Sequence, residues 1–165
     1  MLKRPAVFLF HQYLVRDFYA DSIKVFLIFC TILFLAVTSE YLLRYSNSKK
    51  INLIEFPVVI CFALCFMLLL VSSFNLFGAY VSLEGLTFSL YILAGMNHNS
   101  QNSLEAGIKY FCLGALSSGF LLFGVALVFI MTKTLDFSEL RFLFSSLEKL
   151  PFLLSFSLIF IFFGF

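Results

Sequence analysis

Residues 23–43 read IKVFLIFCTILFLAVTSEYLL. Between Lys24 and Glu40 there is no charge, and the run has about the ~20 residues that a helix needs to cross a bilayer core. Lys24, Glu40 and Arg44 lie near its ends, where long side chains snorkel towards the headgroups. In lipid every backbone N–H and C=O must find its partner within the spanning structure, so such a segment is a helix or part of a closed barrel. The alternating segments of about ten residues that mark a barrel strand are absent. The prediction is an all-α, polytopic membrane helix bundle.

Working outward, the pattern repeats. A second span is predicted over about 54–72, with Glu55 and Pro57 in its first turn, where proline is tolerated. Ser72, Ser73 and Asn75 mark a short turn. A third span covers about 77–95, ending at Gly95. The loop MNHNSQNS is polar and nearly uncharged, and a fourth span covers about 104–131. The linker TKTLDFSELRFLFSSLEKL is amphipathic, with Leu140, Phe144 and Leu147 on one helical face and Glu139, Arg141 and Glu148 elsewhere. Pro151 then restarts an apolar run over 152–165, which makes about five transmembrane helices in all. That last run is short for a full span. It is expected to dock against a partner, or to belong to a larger polypeptide.

The opening, MLKRPAVFLFHQYLVRDFYA, has only a short apolar patch, Ala6 to Phe10. The patch is below the roughly 7–15 residues of a signal-peptide core, and no small-residue cleavage site follows. Residues 1–20 are therefore expected to be an N-terminal arm or interfacial helix, and 21–165 a transmembrane bundle. Positive charge collects at Lys3, Arg4, Arg16, Lys24, Lys133, Arg141 and Lys149 on one side, against Arg44, Lys49 and Lys50 on the other. The positive-inside rule then favours an inward-facing N-terminal side.

Composition agrees with the spans. Of 165 residues 62% are hydrophobic and 12% charged, with mean hydropathy +1.04, 25 Phe and no Trp. Ordinary globular chains carry about 25% charged residues. A soluble enzyme, a disordered tail and a disulfide scaffold are excluded. Net charge is +2, too little to neutralise a phosphate backbone, so nucleic acid is not an expected partner and lipid is. Cys30, Cys61, Cys65 and Cys112 lie in apolar runs without a CxxC pair, and read as packing residues. His11 and His98 have no metal-spaced companion, so no metal site is expected. No phosphate-binding loop or nucleophile elbow occurs.

Two places put ionisable groups in or near apolar helix. Glu84 lies well inside the third span, where a charged carboxylate costs about 2.5–3.5 kcal/mol and needs a partner, a hydrated cavity or a proton. It reads either as a proton carrier or as a carboxyl hydrogen-bonded for packing. Glu105 and Lys109 stand four apart in the favoured order for a helical ion pair. Lys109 is one turn deeper, and from there a lysine could also reach a carboxylate on a neighbouring helix. The fourth span carries the small-xxx-small pairs Gly114/Ser118 and Ala115/Gly119, alongside Gly107, Ser117 and Gly124. These predict close helix packing.

At Glu84 and Lys109 a resemblance emerges. SLEGLTFSLYILAGMNHNSQNSLEAGIKYFCLGALSSGFLLFGVALVF, residues 82–129, resembles the subunit 2 family of the proton-pumping NADH:ubiquinone oxidoreductase, respiratory complex I. The family pattern is a Glu-Leu-x-Ser-Leu-x-x-Tyr-Val-Leu-Ala helix. A polar loop follows, then Ser-Thr-Glu-Ala-Gly-x-Lys-Tyr-Phe, then Leu-Gly-Ala-x-Ser-Ser-Gly-x-Leu-Leu-Phe-Gly. EAGIKYF, LGALSSG and LLFG match it in order, and weaker similarity extends over most of 21–165.

The resemblance implies an antiporter-like fold and an H+-translocating role within an NADH:ubiquinone reductase of the mitochondrial inner membrane. It implies a membrane carboxylate at Glu84 and a partner lysine at Lys109. It implies no cofactor in this chain, with NADH, FMN, iron–sulfur clusters and ubiquinone bound by other subunits. Implied partners are other membrane-arm subunits of complex I.

Three departures stand out. Gly85 replaces the Gln or Met common after the Glu, and Asn75 replaces an Asp. The sequence also stops near IFIFFGF, before an expected lysine-bearing helix. The expectation is a split subunit 2, completed by a second polypeptide carrying its C-terminal part. A high Phe content fits an A+T-rich organellar gene. Two other readings compete: a structural or assembly subunit without its own proton path, and a subunit of a cation/proton antiporter.

Overall fold

The computed structural model describes residues 7–9, 13–45, 55–97, 100–146 and 151–165. His11, His98, Lys3, Arg4, Lys49, Lys50, Leu147, Glu148 and Lys149 lie outside the described residues. The elements are β1 (Val7–Leu9), β2 (Leu14–Arg16), α1 (Phe18–Tyr45), α2 (Glu55–Ser72), α3 (Leu76–Ala94), α4 (Gln101–Thr132), α5 (Phe137–Ser146) and α6 (Phe152–Gly164). Four of the helices, α1 to α4, are long and apolar enough to cross a membrane, and α6 is a shorter apolar helix.

Each boundary has a local cause. Asn75 caps α3 in an extended conformation, its side-chain oxygen accepting the Phe77 N–H at 2.8 Å. Ser100 caps α4 in the same way through the Ser103 N–H. At the far end of α4, Lys133 takes φ 60°, a left-handed position usually given to glycine. Pro151 opens α6, its carbonyl accepting from the Leu154 and Ser155 N–H groups.

The helices pack as a row. α1 lies on α2, α2 on α3, α3 on α4, and α4 on α6. At 32 residues, α4 is about 48 Å long against a hydrocarbon core of about 30 Å. It is long enough to serve two neighbours in turn with one stripe. Its N-terminal half meets α3, where a Cβ on Gly107 would lie 3.0 Å from the Gly95 Cα. Its C-terminal half meets α6 at Leu121 and Gly124, and Val125 and Val128 are buried along the same stripe. Ser117 ties the two together, its hydroxyl donating to the Gly164 carbonyl at 2.7 Å.

The buried serine hydroxyls elsewhere are satisfied on their own helix. Ser82 and Ser89 donate to the Gly78 and Gly85 carbonyls and Ser157 to that of Leu154, at 2.7–2.8 Å. This lets serine fill a close helix contact without an unpaired polar group in lipid.

The N-terminal arm differs from one of its two expected forms. The interfacial-helix reading is corrected, because residues 7–9 and 14–16 pair antiparallel, Phe8 opposite Val15. A pair of strands this short gains support from a third segment. Leu14 bridges Ser73, and the Phe74 N–H donates to the Tyr13 carbonyl at 3.0 Å. The arm thus crosses the α2–α3 turn, and the backbone partners come from a segment far away in sequence.

The same turn is stitched to the α4–α5 link. Asn75 donates from Nδ2 to Asp136 Oδ1 at 2.8 Å, and the Leu76 and Phe137 N–H groups bond across to Leu135 and Phe74. Asn75 is buried. Asn75→Ala removes a helix cap and leaves Asp136 unpaired, and is expected to cost about 2 kcal/mol. Hydrogen exchange at the start of α3 in the assembled protein checks this, with faster exchange at Phe77 and Gly78 as the expected outcome.

Candidate functional site

The apolar length of α3 places Glu84 at its midpoint, and no other Asp, Glu, Lys or Arg occurs in that helix. Its side chain is half-buried. The helical period places Tyr91 and Gly95, seven and eleven residues on, on the same face as Glu84. This is the face that α4 meets. Tyr91 packs edge-on against Tyr110 and Phe111 of α4, with ring centroids 4.8 and 5.7 Å apart. Its hydroxyl sits in the space that a Cβ on Gly114 would occupy.

The neighbouring residue, Gly85, faces α2. A Cβ there would run into the Phe66 ring. The departure from the longer residue common at this point of the family thus has a steric reason in α2. It also fixes the rotation of α3. With Ser82, Gly85 and Ser89 against α2, Glu84 is turned towards the α4 side.

Among the described residues no cation pairs with Glu84. The described ion pairs are Arg16–Asp21 and Glu105–Lys109. Lys109 and Glu105 bond to each other one helical turn apart, with side chains 70% and 62% exposed. Of the two readings of Lys109, the intrahelical pair is the one observed. At 1.5 Å per residue, Glu84 lies eleven residues beyond the Gly95–Gly107 crossing and Lys109 two, so their levels differ by about 13 Å. The structure therefore does not bring Glu84 and Lys109 together.

The packing expectation on α4 is corrected in part. At Gly114 the Tyr91 hydroxyl fills the place of a side chain, but a Cβ on Gly119 would meet nothing within 4 Å. Ser118 turns its hydroxyl back to the Ala115 carbonyl at 3.2 Å. The reason is angular. Position 119 lies about 200° around the helix from the buried Leu121. The close approaches fall instead at Gly107, Gly114 and Gly124.

Two tyrosines escaped the sequence reading. Tyr80 and Tyr91 sit four residues before and seven after Glu84, which puts all three on one helical face. That spacing was the available signal. Among the described residues no group of three His, Cys, Asp or Glu could hold a metal ion. The four cysteines are free and exposed.

Residues 73–165 match the family described as NADH:quinone oxidoreductase/Mrp antiporter, TM. Among similar proteins, NADH-quinone oxidoreductase subunit N of Bartonella bacilliformis is 43% identical over 96 residues, which is 58% of this chain and 20% of that protein. NADH-ubiquinone oxidoreductase chain 2 of Marchantia polymorpha is 35% identical over 140 residues, 85% of this chain and 28% of that one. Solved structures also resemble the fold, two of them respiratory membrane complexes. The membrane-bound sulfane sulfur reductase, an archaeal respiratory membrane complex, gives a TM-score of 0.63 at 27% identity, covering 68% of this chain and 23% of that one. Respiratory complex I from Thermus thermophilus gives 0.56 at 25%, covering 88% and 38%. The chain spans between 20% and 28% of the length of these curated relatives.

Proposed function

The chain belongs to the NADH:quinone oxidoreductase/Mrp antiporter transmembrane family, and from that membership we propose that it is a segment of an antiporter-like, proton-translocating membrane subunit of respiratory complex I. The observation that carries the proposal is Glu84, an ionisable carboxyl at the midpoint of a membrane helix, turned towards the side that α4 meets. A carboxyl at that depth exchanges protons only if water or a cation reaches it, and intramembrane carboxyls mark ion and proton paths for that reason. Glu84 is the group that gains and loses the proton. The opposing cation comes from a helix outside the described residues, because Lys109 is spent on Glu105 in this arrangement.

The chain itself binds no redox cofactor in this reading. NADH, FMN, iron–sulfur clusters and ubiquinone belong to other subunits, and proton movement is driven through the membrane arm. Its partners are the other membrane-arm subunits. The location is the mitochondrial inner membrane, a reading supported by the Phe-rich composition and by the likeness to the Marchantia polymorpha chain 2.

Native electrophoresis of a mild-detergent extract tests the assignment. The expected result is migration in a band of very large mass with NADH dehydrogenase activity, beside a second antiporter-like polypeptide. Migration as a small oligomer without those partners overturns it.

A structural role without a proton path is the second reading, favoured by the lack of a described cation beside Glu84. Lys109 separates the two. An exposed i,i+4 pair contributes about 0.3–0.5 kcal/mol, so Lys109→Gln should leave the assembly intact. If Lys109 exchanges its partner for a carboxylate elsewhere during turnover, the same variant slows proton translocation. Unchanged translocation assigns Lys109 to the exposed pair alone.

A further inference from the structure

We propose that the pocket where the N-terminal arm, the α2–α3 turn and the α4–α5 link meet holds the headgroup of a zwitterionic phospholipid. Two adjoining hollows, of about 420 and 480 Å³, share Thr134 and Glu139. The pocket lies at the end of the bundle where α3 begins and α4 stops, so its apolar side adjoins the lipid-facing helices and its open side faces water. Phe77 and Phe129 line the apolar side. Tyr13 lines it as well, an aromatic with a hydroxyl of the kind that settles at headgroup level.

Charge selects the ligand. Among the described residues the lining carries one ammonium, Lys133, and two carboxylates, Asp136 and Glu139. A free anion would meet more negative than positive charge there, and a free cation would leave the Lys133 ammonium without a phosphate to pair with. A phosphate joined to an amine satisfies both, with the phosphate towards Lys133 and the amine towards the carboxylates. An anionic headgroup lacks the second half of that match.

Three further observations show a site already organised for such a ligand. Asn75, 8% exposed, holds Asp136 through one carboxylate oxygen at 2.8 Å. The Thr134 hydroxyl is buried and has no hydrogen-bond partner, which is rare for a buried polar atom. Turned into the hollow, it would donate to a phosphate oxygen. Lys133 occupies a left-handed position, φ 60°, where glycine rests without strain. The strained backbone is retained with a long cationic side chain on the rim of the pocket.

The test uses the native assembly. Bound phospholipid is quantified by mass spectrometry for the wild type, for Lys133→Asn, which keeps a residue tolerant of the left-handed conformation, and for Glu139→Gln. The expected result is retention of a zwitterionic phospholipid by the wild type and its loss from both variants, with migration of the assembly unchanged. Delipidated assembly is then given phosphatidylethanolamine, phosphatidylglycerol, inorganic phosphate or Mg2+ in turn, and its thermal midpoint is read. A rise with phosphatidylethanolamine that both variants lose supports the proposal. A rise of equal size with inorganic phosphate, Mg2+ or phosphatidylglycerol overturns it, as does lipid retention that neither variant changes. Should Lys133→Asn fail to assemble, Lys133→Gly replaces it, since glycine suits the same backbone.

Discussion

Glu84→Gln is expected to cut proton translocation by a factor of about 100 or more, the scale on which a proton-transferring group contributes, while the assembly still forms. Gln fills nearly the same space and makes similar hydrogen bonds, but it neither ionises nor carries a proton. No described cation relies on the carboxylate for charge balance. The substitution also removes the cost of a charge at mid-membrane, about 2.5–3.5 kcal/mol when ionised. Stability should therefore hold or rise. The measurement is proton uptake into sealed vesicles per NADH oxidised, alongside native electrophoresis. Intact assembly with unchanged proton uptake would take Glu84 out of the path and leave the structural reading.

Gly124→Leu is expected to give the largest loss of assembly. A Cβ at that position would lie 2.7 Å from Ile161 Cγ1, 2.9 Å from the Ile161 nitrogen and 3.0 Å from the Ser157 carbonyl oxygen. Two of those atoms belong to the α6 backbone, so no rotamer change makes room. The contact is tight in both directions, since a Cβ on Gly164 would lie 2.6 Å from the Leu121 nitrogen. Overpacking that side chains absorb costs about 1–3 kcal/mol. Here α6 must leave α4, which also breaks the Ser117–Gly164 hydrogen bond, so a loss of about 3 kcal/mol or more is expected. Gly119→Leu is the internal control, because that face of α4 is open. The readout is the amount of chain recovered in the assembled band. Equal recovery for the two variants would contradict the packing of α6 on this stripe.

The spans were legible in the residues because the bilayer imposes one strong rule, a long uncharged run. Predicted bounds of 77–95 and 104–131 meet observed helices Leu76–Ala94 and Gln101–Thr132. What hydropathy does not encode is direction around the helix. The small-residue pattern pointed to Gly119 as readily as to Gly124, and only the position of α6 separates them. The two-stranded arm was ambiguous for a related reason. Its bridge to Ser73 involves a residue nearly sixty positions away, and nothing local announces it.

The candidate site was legible to the same extent. Glu84 stood out because burying charge is costly, and its depth followed from the span. Its surroundings did not follow. Lys109 looked equally suited to Glu105 or to a carboxylate on another helix, and depth along α4 decided for Glu105 in this arrangement. Asn75 was noted as a departure from Asp, yet its reason lay with Asp136, whose carboxylate opposite position 75 favours an amide over a second acid.

The row of helices also has a consequence for biogenesis. Because α2, α3 and α4 each dock on the helix synthesised just before, each of these spans finds its partner already in place as it leaves the translocation machinery. Contacts of this local kind form quickly and leave little apolar surface waiting. Among the extensive helix–helix contacts of the described residues, the one that skips an element is α6 onto α4. It cannot close until α5 has been laid down. The second half of the α4 stripe thus stays uncovered by α6 until late, and a ribosome stalled before residue 151 would leave Leu121 and Gly124 without that partner.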